Sequence, residues 1–220
     1  MKLIAAMGLR LALGASPARC EDIAQVLQRS QQMRLDQLPE VPLSDPAAAA
    51  LHESFKRVQQ ASAAAADAQL RVVAAGAVAE TMQGRVIVMN MALAELPEIC
   101  RLFLIAHELG HITNLHWSQR IALYRRFIPG EVAQAQTDAV AAQLGQAASA
   151  QSHEHEYTAD AYAMQTLLDM GYSRDDLLEM FFRLGNHGST ATHPSTGKRL
   201  AQLRFIDDQR RMASATTGAR

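Results

Sequence analysis

The sequence predicts an α+β fold, mainly helical, in which an apolar helix packs on a small β-sheet. Two observations predict it. Apolar positions recur at helical spacing in residues 21–38, 47–68 and 99–106. Between them, residues 70–73 and 85–89 are short β-branched runs, with turn candidates at Gly76 and Gly84. A chain of 220 residues, 49% hydrophobic and 20% charged, is long enough for one full core. Its net charge of −1, with both signs interspersed, gives no basic field, so nucleic acid is not an expected partner.

In chain order, residues 1–20 resemble a secretory leader. Met1-Lys2 precedes an apolar stretch, Arg10 interrupts it, and Ser16-Pro17-Ala18 supplies small residues for cleavage. Export to the periplasm or cell envelope is the expectation, and a cytoplasmic protein with an ordinary N-terminal helix is the alternative. Residues 21–69 read as a helical extension, residues 70–212 as the main domain and residues 213–220 as a tail. Within the extension, Ile23, Val26, Leu27 and Leu35 mark one helix, and Pro39, Pro42 and Pro46 an extended connector. Asp45-Pro46 then opens the Ala-rich helix with a cap and a proline at its first position.

The two β-branched runs follow. Pro97 is expected in the first turn of the next helix, which should run on through Trp117 toward Arg126 and stop at Pro129-Gly130. Residues 131–150 are Ala/Gln-rich and read as one more helix or a mobile arm. Two cysteines, Cys20 and Cys100, make neither a disulfide scaffold nor a thiolate metal site, and Cys100 reads as a small core residue. No stretch stays apolar for about 18 residues, so no spanning helix is expected.

The chemistry concentrates in His107-Glu108-Leu109-Gly110-His111. On a helix, His107 and His111 share one face, close enough for both imidazoles to reach one metal ion, and zinc is the usual occupant of such a pair. Glu108 can then take a proton from the attacking water. A catalytic zinc usually has three protein ligands. Glu156, followed one turn later by Asp160, is the first choice for the third, with Asp160 holding a histidine ligand's free N–H. His153, Glu154 and His155 stand nearby as competing ligands, and a solvated helix start would explain the same charges.

Three blocks occur in order: His107-Glu108-Leu109-Gly110-His111, Glu156-Tyr157-Thr158-Ala159-Asp160, and Thr192-His193-Pro194-Ser195 with Arg199. Over residues 84–206 they resemble the zinc peptidase family of HtpX, the CAAX prenyl endopeptidases and the periplasmic quality-control proteases. The resemblance implies a zincin-type active-site helix on a small sheet. It also implies one Zn2+ per chain held by His107, His111 and Glu156, with Glu108 as general base. His193 would sit near the metal, donating to the oxyanion or filling the open position at rest; the plainer reading is that Pro194 starts the last helix and Arg199 makes a structural ion pair. His116 matches a position the family often fills with histidine, and it reads as a satisfied helix histidine rather than a ligand.

The chain departs from the family in lacking the spanning helices of its membrane branches, and Ala74-Ala75-Gly76-Ala77 matches the family's strand only loosely. The expected function is zinc-dependent hydrolysis of peptide bonds in unfolded or misfolded chains. The substrate would be held as an added strand near residues 86–90. The expected partners are polypeptide substrates, with peripheral membrane association compatible. The alternatives are a non-catalytic zinc-binding chaperone, which the base Glu108 argues against, and a metal-free helical interaction module.

Overall fold

The computed structural model describes residues 21–62, 67–74 and 79–217. The leader-like segment, Cys20 and the turn at Gly76 lie outside these residues. The elements run α1 (Ile23–Asp36), α2 (Pro46–Ala61), β1 (Gln69–Val73), β2 (Ala79–Met82), β3 (Val86–Asn90), a 3-10 turn (Met91–Glu95), α3 (Glu98–Thr113), α4 (His116–Phe127), α5 (Gln134–Asp169), α6 (Arg174–Leu184) and α7 (Thr196–Thr217). The architecture is the expected mainly helical α+β fold.

The helix starts follow local chemistry. Asp22 and Gln25 form a reciprocal capping box at α1, and Asp45 accepts from the N–H groups of Ala47 and Ala48 at α2, where Pro46 takes the first position. Pro97 is the cap before α3 rather than part of its first turn. The Ala-rich helix ends at Ala61, short of residue 68, because Ser62 leaves the helix in extended backbone.

The sheet has the order β1-β3-β2, with β1 parallel and β2 antiparallel to β3. Residues 70–73 and 85–89 are strands as expected. The third strand, β2, was not read from the sequence, and it makes β3 the central strand. Residues 86–89 are therefore paired on both sides, and the edge beside the histidine helix belongs to β2. The β2–β3 turn places Gln83 and Gly84 at positive φ, as a tight two-residue hairpin turn requires, and the Arg85 N–H closes it on Met82 O at 3.1 Å.

Strand alternation sends Leu70, Val72, Ile87 and Met89 into the main core under α2 and α3. Val73, Met82 and Val88 face the other way, onto Leu35 of α1. Helix α3 is buried over most of its length, from Cys100 to Ile112, with α5 packed across it. It does not run on to Arg126. The chain turns at Leu115, whose φ of +56° ends α3, and Asn114 Nδ2 donates back to Gly110 O at 2.8 Å. Helix α4 then leaves in a new direction. Residues 134–150 and the Glu156 region form a single helix, α5, of 36 residues.

Candidate metal centre

His107 and Glu108 are buried and His111 nearly so, one turn apart on the inner side of α3. The middle of α5 brings Glu156 against them. His107 Nε2 lies 3.4 Å from Glu156 Oε2, His111 Nε2 lies 3.3 Å from Glu156 Oε1, and the two Nε2 atoms are 3.1 Å apart. One donor atom from each residue falls within 4.8 Å of the others, so the three form a group able to hold a metal ion. Of the competing ligands, His155 is turned away and bonded through Nε2 to Gln119 Oε1 at 2.9 Å, while His153 Nε2 lies 2.9 Å from Thr190 O. Glu154 is exposed.

The hydrogen bonds around His107 set its tautomer. Asp160, almost wholly buried, accepts the Nδ1–H of His107 at 2.9 Å. Arg199 grips the same carboxylate with both arms, Nε to Oδ2 at 2.7 Å and Nη2 to Oδ1 at 2.5 Å. This leaves Nε2 of His107 as the atom aimed at His111 and Glu156, its lone pair available to a metal that displaces the proton.

His111 has a different support. Its Nδ1 is 2.8 Å from Nδ1 of His116, whose Nε2 is 3.0 Å from Thr158 Oγ1. With His111 Nδ1–H donating, His116 accepts and passes its own N–H to Thr158, whose hydroxyl donates to His155 O at 3.0 Å. His155 stacks flat on His116, ring centroids 3.9 Å apart. Sequence reading treated His116 as an ordinary satisfied histidine. It is satisfied, but through His111. The signals were its spacing, five residues after the second histidine, and the family's frequent histidine at that position.

Charge in the centre is lopsided. Burial opposes a charged His107, yet Glu156 and Asp160 lift its pKa to about 10. Burial likewise opposes charge on Glu156, and the two histidines overcome it, holding that carboxyl far below its usual range. Burial and the neighbouring histidines His111 and His155 push His116 down to about 3, and burial with His111 and Arg120 takes His155 to about 4, so both are neutral at pH 7. Glu156 Oε2 is buried and accepts no hydrogen bond. Without a metal the carboxylates draw a proton onto His107, and a cation bound between its Nε2 and Glu156 would replace that proton and satisfy the oxygen. The residues present fit a divalent metal.

Glu108 stands beside this group and is not one of the converging ligands. Its Oε2 accepts from the Thr81 hydroxyl at 2.7 Å, and the same hydroxyl is 3.0 Å from Glu108 O, which ties α3 to the edge strand β2. His193 lies on the loop before α7, with Nε2 3.6 Å from Glu156 Oε1 and its side chain 59% exposed. Pro194 precedes α7 by two residues rather than starting it. Arg199 makes the expected ion pair, and it is the clamp on Asp160.

The family model described as Peptidase family M48 matches residues 47–207, well over half of the chain. No curated protein matches it.

Proposed function

The chain belongs to peptidase family M48, and on that premise we propose a zinc-dependent endopeptidase with His107, His111 and Glu156 as metal ligands and Glu108 as general base. Membership of the family makes the activity that of a metallopeptidase. The observation that carries the finer reading is the convergence of two imidazoles and one carboxylate, with the buried Glu156 Oε2 lacking a hydrogen bond. Two nitrogen donors and one oxygen donor suit zinc better than calcium or magnesium. When bound, zinc would supply Lewis-acid chemistry, polarising the scissile carbonyl and acidifying the attacking water.

The chain's own residues do the rest. Thr81 fixes one oxygen of Glu108, which leaves the other to accept the proton of the attacking water and deliver it to the leaving amine. Asp160 and Arg199 hold His107, and His116 holds His111, so both imidazoles keep their orientation through turnover. His193, at the mouth of the cleft, donates to the developing oxyanion. A substrate laid along the β2 edge would bind through its backbone with little sequence preference, which suits unfolded or misfolded chains. The leader-like residues 1–20 are the ground for placing the enzyme in the cell envelope. Among the described residues no helix is long and apolar enough to cross a membrane.

The test pairs metal analysis with cleavage of denatured casein. We expect one zinc per chain, hydrolysis that stops with a chelator and returns with zinc, and a Glu108→Gln protein that keeps its zinc and its Tm while losing activity by about 10²-fold or more. Cleavage indifferent to chelator, or zinc lost from Glu108→Gln, would overturn the assignment.

A further inference from the structure

The cleft that contains Glu108, His111 and Glu156 has a volume of about 290 Å³. Its far wall is formed by Trp117 and Arg120 of α4 with Ser152 and His155 of α5. A second cavity of about 210 Å³ lies beside it, between α4, α5 and the loop carrying Ala191. Arg120, with Ser152 and Thr192, lines both and so stands on the wall they share.

The formal charges along this path are nearly all accounted for. Glu108 and Glu156 belong to the metal centre. Arg34 is paired with Glu80 at 2.6 Å. Among the described residues, Arg120 has no carboxylate partner and no hydrogen bond. It is half-buried, and Tyr124, Gln151 and Ser152 beside it in the second cavity bring no counter-charge. A guanidinium walled in by protein loses part of its hydration, and its planar fork of donors matches a carboxylate better than any other common peptide group.

We propose that Arg120 is a specificity residue of this cleft and selects peptides that carry a carboxylate near the scissile bond, on an acidic side chain or at the chain's own C-terminus. The proposal rests on the peptidase reading above. It narrows a cleft that otherwise binds backbone to one that prefers acidic or C-terminal segments. Arg34 is not equivalent to Arg120, because Glu80 already occupies it.

The experiment uses quenched fluorogenic peptides of one length in which Glu or Gln is placed at each position in turn, each made with a free and an amidated C-terminus. The zinc-loaded protein should show a kcat/KM ratio of about 10-fold or more for one carboxylate over its amide. An effect of Glu position that survives amidation identifies a side chain as the ligand; an effect of amidation alone identifies the terminus. In either case Arg120→Gln should bring the ratio to about 1, while Arg120→Lys keeps part of it, which separates a lost charge from a damaged fold. A wild-type ratio near 1, or a preference that persists in Arg120→Gln, overturns the proposal. If the protein cleaves none of the peptides, the peptidase reading fails; fluorescence anisotropy of the same peptides on the same protein still measures the ratio, and equal affinities for carboxylate and amide overturn the role of Arg120.

Discussion

Replacing Gly110 with alanine tests how closely α3 and α5 must approach to build the metal centre. A Cβ at Gly110 would lie 3.0 Å from Ala159 Cα, 3.1 Å from Ala159 O and 3.2 Å from Tyr162 Cβ. Two of these atoms are backbone and cannot swing aside, so α5 itself has to give by a few tenths of an ångström. Glu156 stands one turn before Ala159 on the same helix and moves with it. Metal–ligand distances tolerate only about 0.2 Å, so the carboxylate is displaced by more than the site accepts. Stability responds less. Alanine in a helix interior gains about 1 kcal/mol over glycine, and crowding costs about 1–3 kcal/mol. The net is between zero and about 2 kcal/mol, or a Tm lower by no more than about 8 °C. Zinc affinity should fall about 10–100-fold, as when a ligand's support is removed. Chelator competition reads the affinity, and a thermal melt of the metal-free protein reads the fold. Unchanged zinc affinity with a raised Tm would refute the reasoning, since α5 would then have room to spare.

Other perturbations have separable outcomes. Glu156→Ala should lose most of its zinc and all measurable hydrolysis, whereas His155→Ala, whose Nε2 is spent on Gln119, should keep its zinc; the reverse order in metal analysis would move the third ligand. His193→Ala should lower kcat about 10²-fold with little change in KM, and leave zinc content and Tm intact because the side chain is exposed. Raised activity would make His193 a plug of the resting site, and a fallen Tm with unchanged kinetics would leave it a loop residue. Leu115→Gly should stabilise the fold by up to about 1 kcal/mol, a Tm higher by about 2–4 °C, because an exposed leucine at φ +56° is strained where glycine is not; an unchanged or lower Tm would place the strain elsewhere.

The helix that carries His107 and His111 was legible because its signal is local. Two histidines one turn apart in an apolar run need only helix periodicity to share a face. Glu156 was legible as one choice among neighbours, and its convergence on His107 and His111 depended on which way α5 turns against α3, which no local pattern encodes. Strand β2 escaped because Ala79-Glu80-Thr81-Met82 has one β-branched residue and little alternation; it exists because β3 offers it a partner. The turn at Leu115 escaped for a related reason, since no glycine or proline marks it and tertiary packing imposes a conformation leucine rarely adopts. A support for a histidine from Asp160 and an ion pair for Arg199 were legible; that these two pair with each other, His116 with Thr158 and Thr81 with Glu108 joins residues distant in sequence and becomes visible only in the fold.

The unequal supports of the two histidines follow from charge balance. Around the centre stand three carboxylates, Glu108, Glu156 and Asp160, and one guanidinium, Arg199. Formally, three negative charges less one positive leave −2, which a bound divalent cation would cancel. His107 can lean on a carboxylate because Arg199 cancels that carboxylate. Among the described residues, His111 rests through Nδ1 on His116, with no such cation paired behind it. A carboxylate in place of His116 would leave an unbalanced charge in a buried site, at a cost of several kcal/mol. A neutral imidazole kept neutral by burial and passing its own N–H to Thr158 orients His111 with no added charge. With a divalent cation bound, the centre would be electrostatically balanced. Arg120 stands outside that balance, on the wall of the same cleft, where its unmatched charge would attract an incoming carboxylate.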